Sequence, residues 1–406
     1  MTPLAFEDIQ KAHTLLKGVV IETPTLYSPS LSRICNTQIF LKLENFQETG
    51  SFKERGAYVK LKSLSQEALK RGVITMSAGN HAQAVALYAH RLQSPATIVM
   101  PVFTPPIKVG NTEKWGARVI LAGKTLEESG KIAAEMAEKE NLTFIHPYDD
   151  LAVIAGQGTI GIEMLQTCPD LEILLIPIGG GGLCAGVALA AKSLNPSLHI
   201  YGVEVERYVS MSHALYGTTE ALKGEATLAD GIAVKIPGKL PQMILRDLLE
   251  GVLIVTEEEI ERAVDLFARK QNIIVEGAGA AGLAALLHNP SLFVQKKVGL
   301  VVSGGNIDSR IVSALMMRGQ IHEGRLTLLR IKINDVPGIL EQIAGIIARR
   351  QSNIIEVKHQ RLLYEIPIKM AELDIMVETR GKEHTDLIIQ DLELAGFVIT
   401  QSQIWI

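Results

Sequence analysis

The chain has 406 residues, 47% hydrophobic and 21% charged, with a net charge of −4. That length exceeds one ordinary domain and predicts two or three, each able to bury its own core, while the charge excludes a polycationic face for nucleic acid. The three cysteines, Cys35, Cys168 and Cys184, have no metal-ligand spacing and leave an odd count, as reduced thiols of a cytoplasmic protein would.

Residues Met1–Asp8 have no basic segment and no apolar core, so no signal peptide is expected. Short apolar, β-branched runs then alternate with helical stretches. The predicted strands are Gln38–Leu43, Val73–Met76, Ala96–Met100, Arg118–Leu121, Thr143–His146, Glu172–Ile178, His199–Val205 and Gly299–Val302. Helices between them include Gly79–Leu92, Leu126–Glu140 and Leu183–Leu194. This rhythm predicts an α/β fold of parallel sheets covered on both faces, with ligands at the carboxyl ends of strands. The uncharged run Ile173–Ala191 has membrane-helix length, but Pro177 and four glycines would break such a helix. It reads as a buried strand, a tight loop and a buried helix, with no membrane contact.

The pattern changes near Met317–Arg325, where Arg318–Gly324 is polar, holds two glycines and reads as a linker. A β-α-β-β-α-β unit follows. Leu329, Ile331 and Ile333 alternate with polar residues, and Asp335-Val336-Pro337-Gly338 turns the chain. Ile339, Leu340, Ile343, Ile346 and Ile347 share one helical face. Strands at Asn353–Gln360 and around Leu373–Val377 come next. A helix near Lys382–Ala395 should end at a left-handed Gly396, before a last strand at about Phe397–Ile404.

Chemistry concentrates in four segments. Lys53 lies in Ser51-Phe52-Lys53-Glu54-Arg55-Gly56, a tight helix start rather than an exposed helix face. A lysine that forms a Schiff base needs a lowered pKa, which burial and a neighbouring cation such as Arg55 would provide. Ser77-Ala78-Gly79-Asn80-His81 follows a strand and opens a helix, whose free N–H groups suit a carboxylate. The plainer reading is an N-cap by Ser77, with His81 structural. Gly179-Gly180-Gly181-Gly182 joins a strand to a helix with bare amides that can hold a phosphate. Ser303, in Val302-Ser303-Gly304-Gly305-Asn306, places a hydroxyl at a strand's carboxyl end, where it would leave a pyridine nitrogen unprotonated. Lysine and glycine loop together are the two anchors that pyridoxal 5'-phosphate requires.

Two further patterns are set aside. Gly277-Ala278-Gly279-Ala280-Ala281-Gly282 matches G-x-G-x-x-G, but no acid ends the next strand to hold a ribose. Gly123-Lys124-Thr125 ends like a P-loop, with Arg118 where the first glycine belongs.

In this order, Ser51–Gly56, Ser77–Gln83, Gly179–Leu183, Asp230-Gly231 and Ser303–Asn306 resemble the fold-type II pyridoxal-phosphate enzymes, the tryptophan synthase β-like fold. Over residues 5 to 318 the chain most resembles the threonine ammonia-lyases (threonine dehydratases) and the related serine racemases. Residues 326–406 resemble an ACT domain of α+β ferredoxin-like fold. The resemblance implies two doubly wound parallel-sheet lobes within a catalytic domain at 1–318, the smaller at about 45–150, then a linker at 319–325.

It also implies roles. Lys53 binds the cofactor covalently and moves the α-proton, Phe52 packs beside the ring, and Asn80 bonds the ring hydroxyl. Gly179, Gly180, Gly181, Gly182 and Leu183 hold the phosphate, and Ser303 faces the ring nitrogen. Ser77, Ala78, Gly79, Asn80 and His81 take the substrate carboxylate, and Gly231 lines the pocket. Glu276 lies near the ring edge or is structural. Asp335, Pro337, Gly338, Ile339 and Asn353 mark an amino-acid effector site, and a homo-oligomer, dimer or tetramer, is expected.

The implied reaction is dehydration and deamination of L-threonine to 2-oxobutanoate and ammonia, and of L-serine to pyruvate. It would serve isoleucine biosynthesis or a degradative route. Racemisation is demoted, because Ala78 stands where serine racemases carry the second acid. No divalent metal is expected, since Glu204 matches that family's cation site but Ser210 replaces its second acid; a monovalent ion stays open. β-Replacement chemistry and a catalytically inactive amino-acid sensor are the alternatives.

Overall fold

The computed structural model describes residues 3–217, 224–361, 367 and 369–402. The chain divides into two compact units, Met1–Ile307 and Asp308–Ile406. The first holds β1 (Thr25–Tyr27), β2 (Gln38–Leu43), β3 (Val73–Met76), β4 (Ala96–Met100), β5 (Arg118–Leu121), β6 (Thr143–Phe144), β7 (Ile173–Pro177), β8 (His199–Val205), β9 (Gly251–Val255) and β10 (Lys297–Val302). They form two sheets. The larger has the order β1-β2-β10-β7-β8-β9, parallel except for β1 on the edge. The smaller, β5-β4-β3-β6, is all parallel.

Central strands β4 and β7 are buried at every residue, as strands with helices on both faces must be. Strand β10 lies between β2 and β7, with Val298 opposite Ile39 on one side and Ile173 on the other. The carboxyl ends of β7 and β10 are therefore neighbours, and the residues that follow them share one crevice. The run Ile173–Ala191 divides into β7, a loop and the helix Gly182–Leu194. No described helix is long and apolar enough to cross a membrane. Strand β6 stops at Phe144, two residues short of expectation, because the next carbonyl, Ile145 O, turns to accept from Thr75 Oγ1.

The second unit opens with the helix Ser309–His322. The expected linker is thus helical as far as His322, and the chain turns at Gly324 (φ +65°) instead. The break between units, at 307/308, precedes the expected one at 318. Strands β11 (Leu326–Asn334), β12 (Asn353–Gln360), β13 (Met370–Glu378) and β14 (Val398–Ser402) pair antiparallel in the order β12-β13-β11-β14. Ile331, Ile333, Leu373 and Ile375 pack with Ile343, Ile347, Ile388 and Leu392 of the helices Ile339–Arg349 and Lys382–Leu394. Gly396, at φ +90°, follows the second helix in the left-handed position. Residues 403–404 of the last predicted strand lie outside the described residues.

Candidate active site

The site assembles at the shared carboxyl edge of β10, β7 and β2. Beyond β10, Ser303 O accepts from Phe52 N at 3.1 Å, Ser51 bridges Gly304, and Gly305 N donates to Gly50 O at 2.9 Å. This short antiparallel seam fixes the segment leading into the helix Lys53–Lys62, so Lys53 opens its helix beside Ser303. Ser303 itself is buried.

The amine of Lys53 donates to Pro147 O at 2.8 Å and stands 5.1 Å from the centre of the Phe52 ring. It forms no ion pair among the described residues. Loss of water around the amine lowers its pKa to about 8, partly opposed by the charge of Glu276. Burial is the cause, and Arg55 is not. Contrary to the sequence expectation, the Arg55 guanidinium points away, into Glu44 and Glu163.

The glycine loop sits between β7 and the N-terminus of Gly182–Leu194. Gly181 has φ +95°, a conformation that side chains resist. A Cβ on Gly180 would stand 2.1 Å from Tyr148 Cγ, and one on Gly182 would stand 2.8 Å from Tyr148 O. Only bare backbone fits, and the amides of the first helical turn add the positive end of the dipole. A water-poor amine with a lowered pKa, an anion cradle without side chains and a buried hydroxyl at the adjacent strand end fit pyridoxal phosphate.

Asn80 opens the helix Asn80–Arg91 on the smaller sheet. Its Nδ2 donates to both oxygens of Glu276, at 2.9 and 3.0 Å, and its Oδ1 accepts from Asn306 Nδ2 at 2.7 Å. Asn306 also donates to Thr49 O at 2.6 Å. Glu276 is buried. Burial first, then Asp230, raises its carboxyl to about 7, against the pull of Asn80 and Lys108. Gly231 is adjacent, since a Cβ there would meet Glu276 Oε1 at 3.3 Å. Ser77 is no N-cap, because its Oγ accepts from Gly79 N at 3.1 Å, one residue before the helix starts. That turn leaves Ala78 and Gly79 before the first helical amides. His81 is anchored on Ile145 O at 3.2 Å, and burial drives its pKa down to about 3, so it stays neutral and structural.

Two other expectations are placed. Glu204 accepts from Met211 N at 2.7 Å and Ser212 N at 2.9 Å, while Ser210 Oγ donates to Val234 O. In the second unit the effector residues do not converge. Asp335, Pro337, Gly338 and Ile339 follow the end of β11, where Asn334 pairs with Met370, whereas Asn353 pairs with Glu378 at the sheet's other end. Antiparallel pairing sets that separation within one chain.

Sequence reading missed Pro147 and Tyr148. Tyr148 OH donates to Ile236 O at 3.0 Å, and its ring lies edge-on to His146. Their signal was available: they follow β6, a parallel strand whose carboxyl end faces the ligand side.

A family model described as "Pyridoxal-phosphate dependent enzyme" matches residues 16–304. An L-threonine ammonia-lyase of Thermotoga maritima is 42% identical over 98% of this chain and 99% of its own length. The solved processed form of threonine deaminase isoform 2 from Solanum lycopersicum is 36% identical, with a TM-score of 0.72, over 77% of this chain and 92% of that one. The solved maize serine racemase is 34% identical, with a TM-score of 0.73, over 79% of this chain and 98% of that one.

Proposed function

The chain belongs to the pyridoxal-phosphate dependent enzymes and, within them, to the threonine ammonia-lyases; on that premise we propose that it converts L-threonine to 2-oxobutanoate and ammonia. L-Serine gives pyruvate by the same route. The observation that carries this reading is the amine of Lys53, with no ion pair among the described residues and a pKa lowered to about 8 by burial, beside Ser303 and within reach of Pro147.

Bound pyridoxal phosphate supplies a conjugated electron sink that makes the α-hydrogen of an amino acid acidic. The rest is the protein's part. Amides of Gly179–Leu183 would hold the phosphate, and Phe52 flanks the lysine. Ser303 would offer a neutral hydroxyl to the ring nitrogen, which would suit a sink emptied quickly by a leaving group. Amides around Ser77–His81 grip the substrate carboxylate at a helix N-terminus, turning the Cα–H bond toward Lys53. Lys53, largely freed of solvent, takes the α-proton. Ala78 offers no acid on the opposite face, so elimination is favoured over racemisation.

The test is ketoacid release from threonine and serine by the native protein and by Lys53→Ala. Turnover should vanish in the variant, and appreciable 2-oxobutanoate from it would sink the assignment.

We infer in addition that the second unit is an ACT domain that binds an amino-acid effector near Asp335–Ile339, in a cytoplasmic homo-oligomer. Its β-α-β-β-α-β order supports this. Isoleucine or valine should change the rate of the full chain and leave a chain ending at Arg325 indifferent. An unchanged response after that deletion removes the regulatory assignment.

A further inference from the structure

Two anchors must stand a fixed distance apart for one cofactor to engage both: the Lys53 amine and the amides of the glycine loop. They open two different helices, Lys53–Lys62 and Gly182–Leu194. Both helices pack on a third, Leu151–Thr167. We propose that this third helix is the spacer that sets the distance between Lys53 and the phosphate loop, with Gly156, Gly158, Thr159 and Glu163 as positioning residues. The proposal rests on the cofactor reading above.

The contact toward Lys53 is backbone on backbone. A Cβ on Gly156 would stand 2.6 Å from Arg55 O and 2.7 Å from Gly56 Cα, and one on Gly56 would stand 2.8 Å from Val153 O. Ordinary side-chain packing tolerates several spacings, but backbone contact admits one. Arg55 then locks that spacing. Its Nη1 bonds Thr159 Oγ1 at 3.0 Å and Glu163 Oε1 at 2.5 Å, and its Nη2 bonds Glu163 Oε2 at 2.8 Å. Its Nε and Nη2 also bond the two oxygens of Glu44, each at 2.8 Å. A guanidinium has five N–H donors, and Arg55 has a partner for each. Lys42 Nζ joins Glu163 Oε2 at 2.5 Å, which balances two cations with two carboxylates. Arg55 and Glu163 are both buried, so sliding the third helix would pull Glu163 from its guanidinium and strand a charge away from water. Thr159 Oγ1 donates to Gly156 O at 2.7 Å, tying this ionic lock to the glycine contact.

The contact toward the phosphate loop has the same construction. A Cβ on Gly158 would stand 2.8 Å from Gly186 O, and one on Gly186 would stand 2.3 Å from Ile154 O. One turn further, a Cβ on Gly161 would stand 2.8 Å from Val187 O. Gly56 lies about one helical turn beyond Lys53, and Gly186 about one turn beyond Gly182. Displacement at either crossing therefore reaches its anchor almost undiminished.

The experiment adds pyridoxal phosphate to apoprotein of the full chain and of Gly158→Ala, Arg55→Lys and Thr159→Val. Gly282→Ala is the control, since its Cβ would meet nothing closer than 3.6 Å. Dissociation constant, phosphorus-31 resonance of the bound phosphate and pH titration of the visible band are read, with circular dichroism to verify folding. Gly158→Ala should bind the cofactor roughly tenfold more weakly and move the phosphorus resonance. Arg55→Lys and Thr159→Val should keep that resonance and move the visible titration, whereas Gly282→Ala should match the native protein. Folded Gly158→Ala with native affinity and resonance would overturn the proposal, as would an unmoved visible titration in both lock variants. If Gly158→Ala does not fold, Thr159→Val decides, because it is nearly isosteric. A native chain that never takes up pyridoxal phosphate would instead overturn the cofactor reading itself.

Discussion

Asn80 Nδ2 lies 2.9 Å from one oxygen of Glu276 and 3.0 Å from the other, so a residue opening a helix of the smaller sheet grips one that follows Val275 beneath the larger. Asn306 holds the opposite end of the same amide. The amide cannot turn over without losing both partners, so its N–H side is committed toward the Glu276 carboxylate. The sequence assigned Asn80 to the ring hydroxyl and to the substrate carboxylate. In the structure Glu276 also determines which way that amide faces.

The Glu276 carboxyl, raised to about 7, gives a pH dependence of defined sign. Between its ordinary value and 7 the folded state binds more protons than the unfolded one, so this group subtracts stability as pH rises through that window. Glu276→Gln lacks the group and lacks the loss. Its Tm relative to the native protein should therefore be higher at pH 8 than at pH 5. A difference that is flat, or that runs the other way, contradicts a carboxyl kept from ionising by burial.

Lys53 must be neutral to attack an aldehyde. With its amine near 8, the rate of cofactor capture by apoprotein should climb through pH 8 and then level off. An ordinary lysine would keep gaining beyond pH 10. Stopped-flow absorbance after mixing with pyridoxal phosphate resolves the two, and borohydride trapping with peptide mass spectrometry should find the label on Lys53. Continued acceleration past pH 10 would mean that the crevice leaves the amine solvated.

Gly180 and Tyr148 make a paired test. A Cβ on Gly180 would fall 2.1 Å from Tyr148 Cγ, so Gly180→Ala must expel the ring and break its bond to Ile236 O. Overpacking of this kind costs about 1–3 kcal/mol, which should weaken cofactor binding by about ten- to a hundredfold. Adding Tyr148→Ala removes the clash and should recover much of the loss. If the double variant binds no better than Gly180→Ala, the loss comes from the loop amides themselves.

The legible parts of this molecule were those governed by local chemistry. Strand–helix alternation gave the parallel sheets because buried strands are apolar along their whole length. The four glycines marked the loop because nothing else tolerates Gly181's backbone or Gly180's neighbour. Partners brought together by topology were not legible. The Arg55 contacts to Glu44 and Glu163 join three separate elements, and no spacing announces them. Tyr148 looked like an ordinary loop residue until β6 placed it against Gly180. The three-residue β1 was too short for any periodicity to register.

Lys108 and Asp230 pair at 2.6 Å, part exposed, and both act on Glu276. An exposed pair of this kind contributes only about 0–1 kcal/mol, so removing either partner should barely move Tm. Its effect on Glu276 is larger in kind than in stability, because Lys108 lowers that carboxyl and Asp230 raises it. Lys108→Ala should move the Glu276 titration upward and Asp230→Asn should move it downward. Carboxyl carbon-13 resonances give the two midpoints directly. High salt should shrink the shifts, since part of each field passes through solvent. Shifts in the same direction for both variants would mean that they rearrange the cleft, and the electrostatic account of Glu276 would fail.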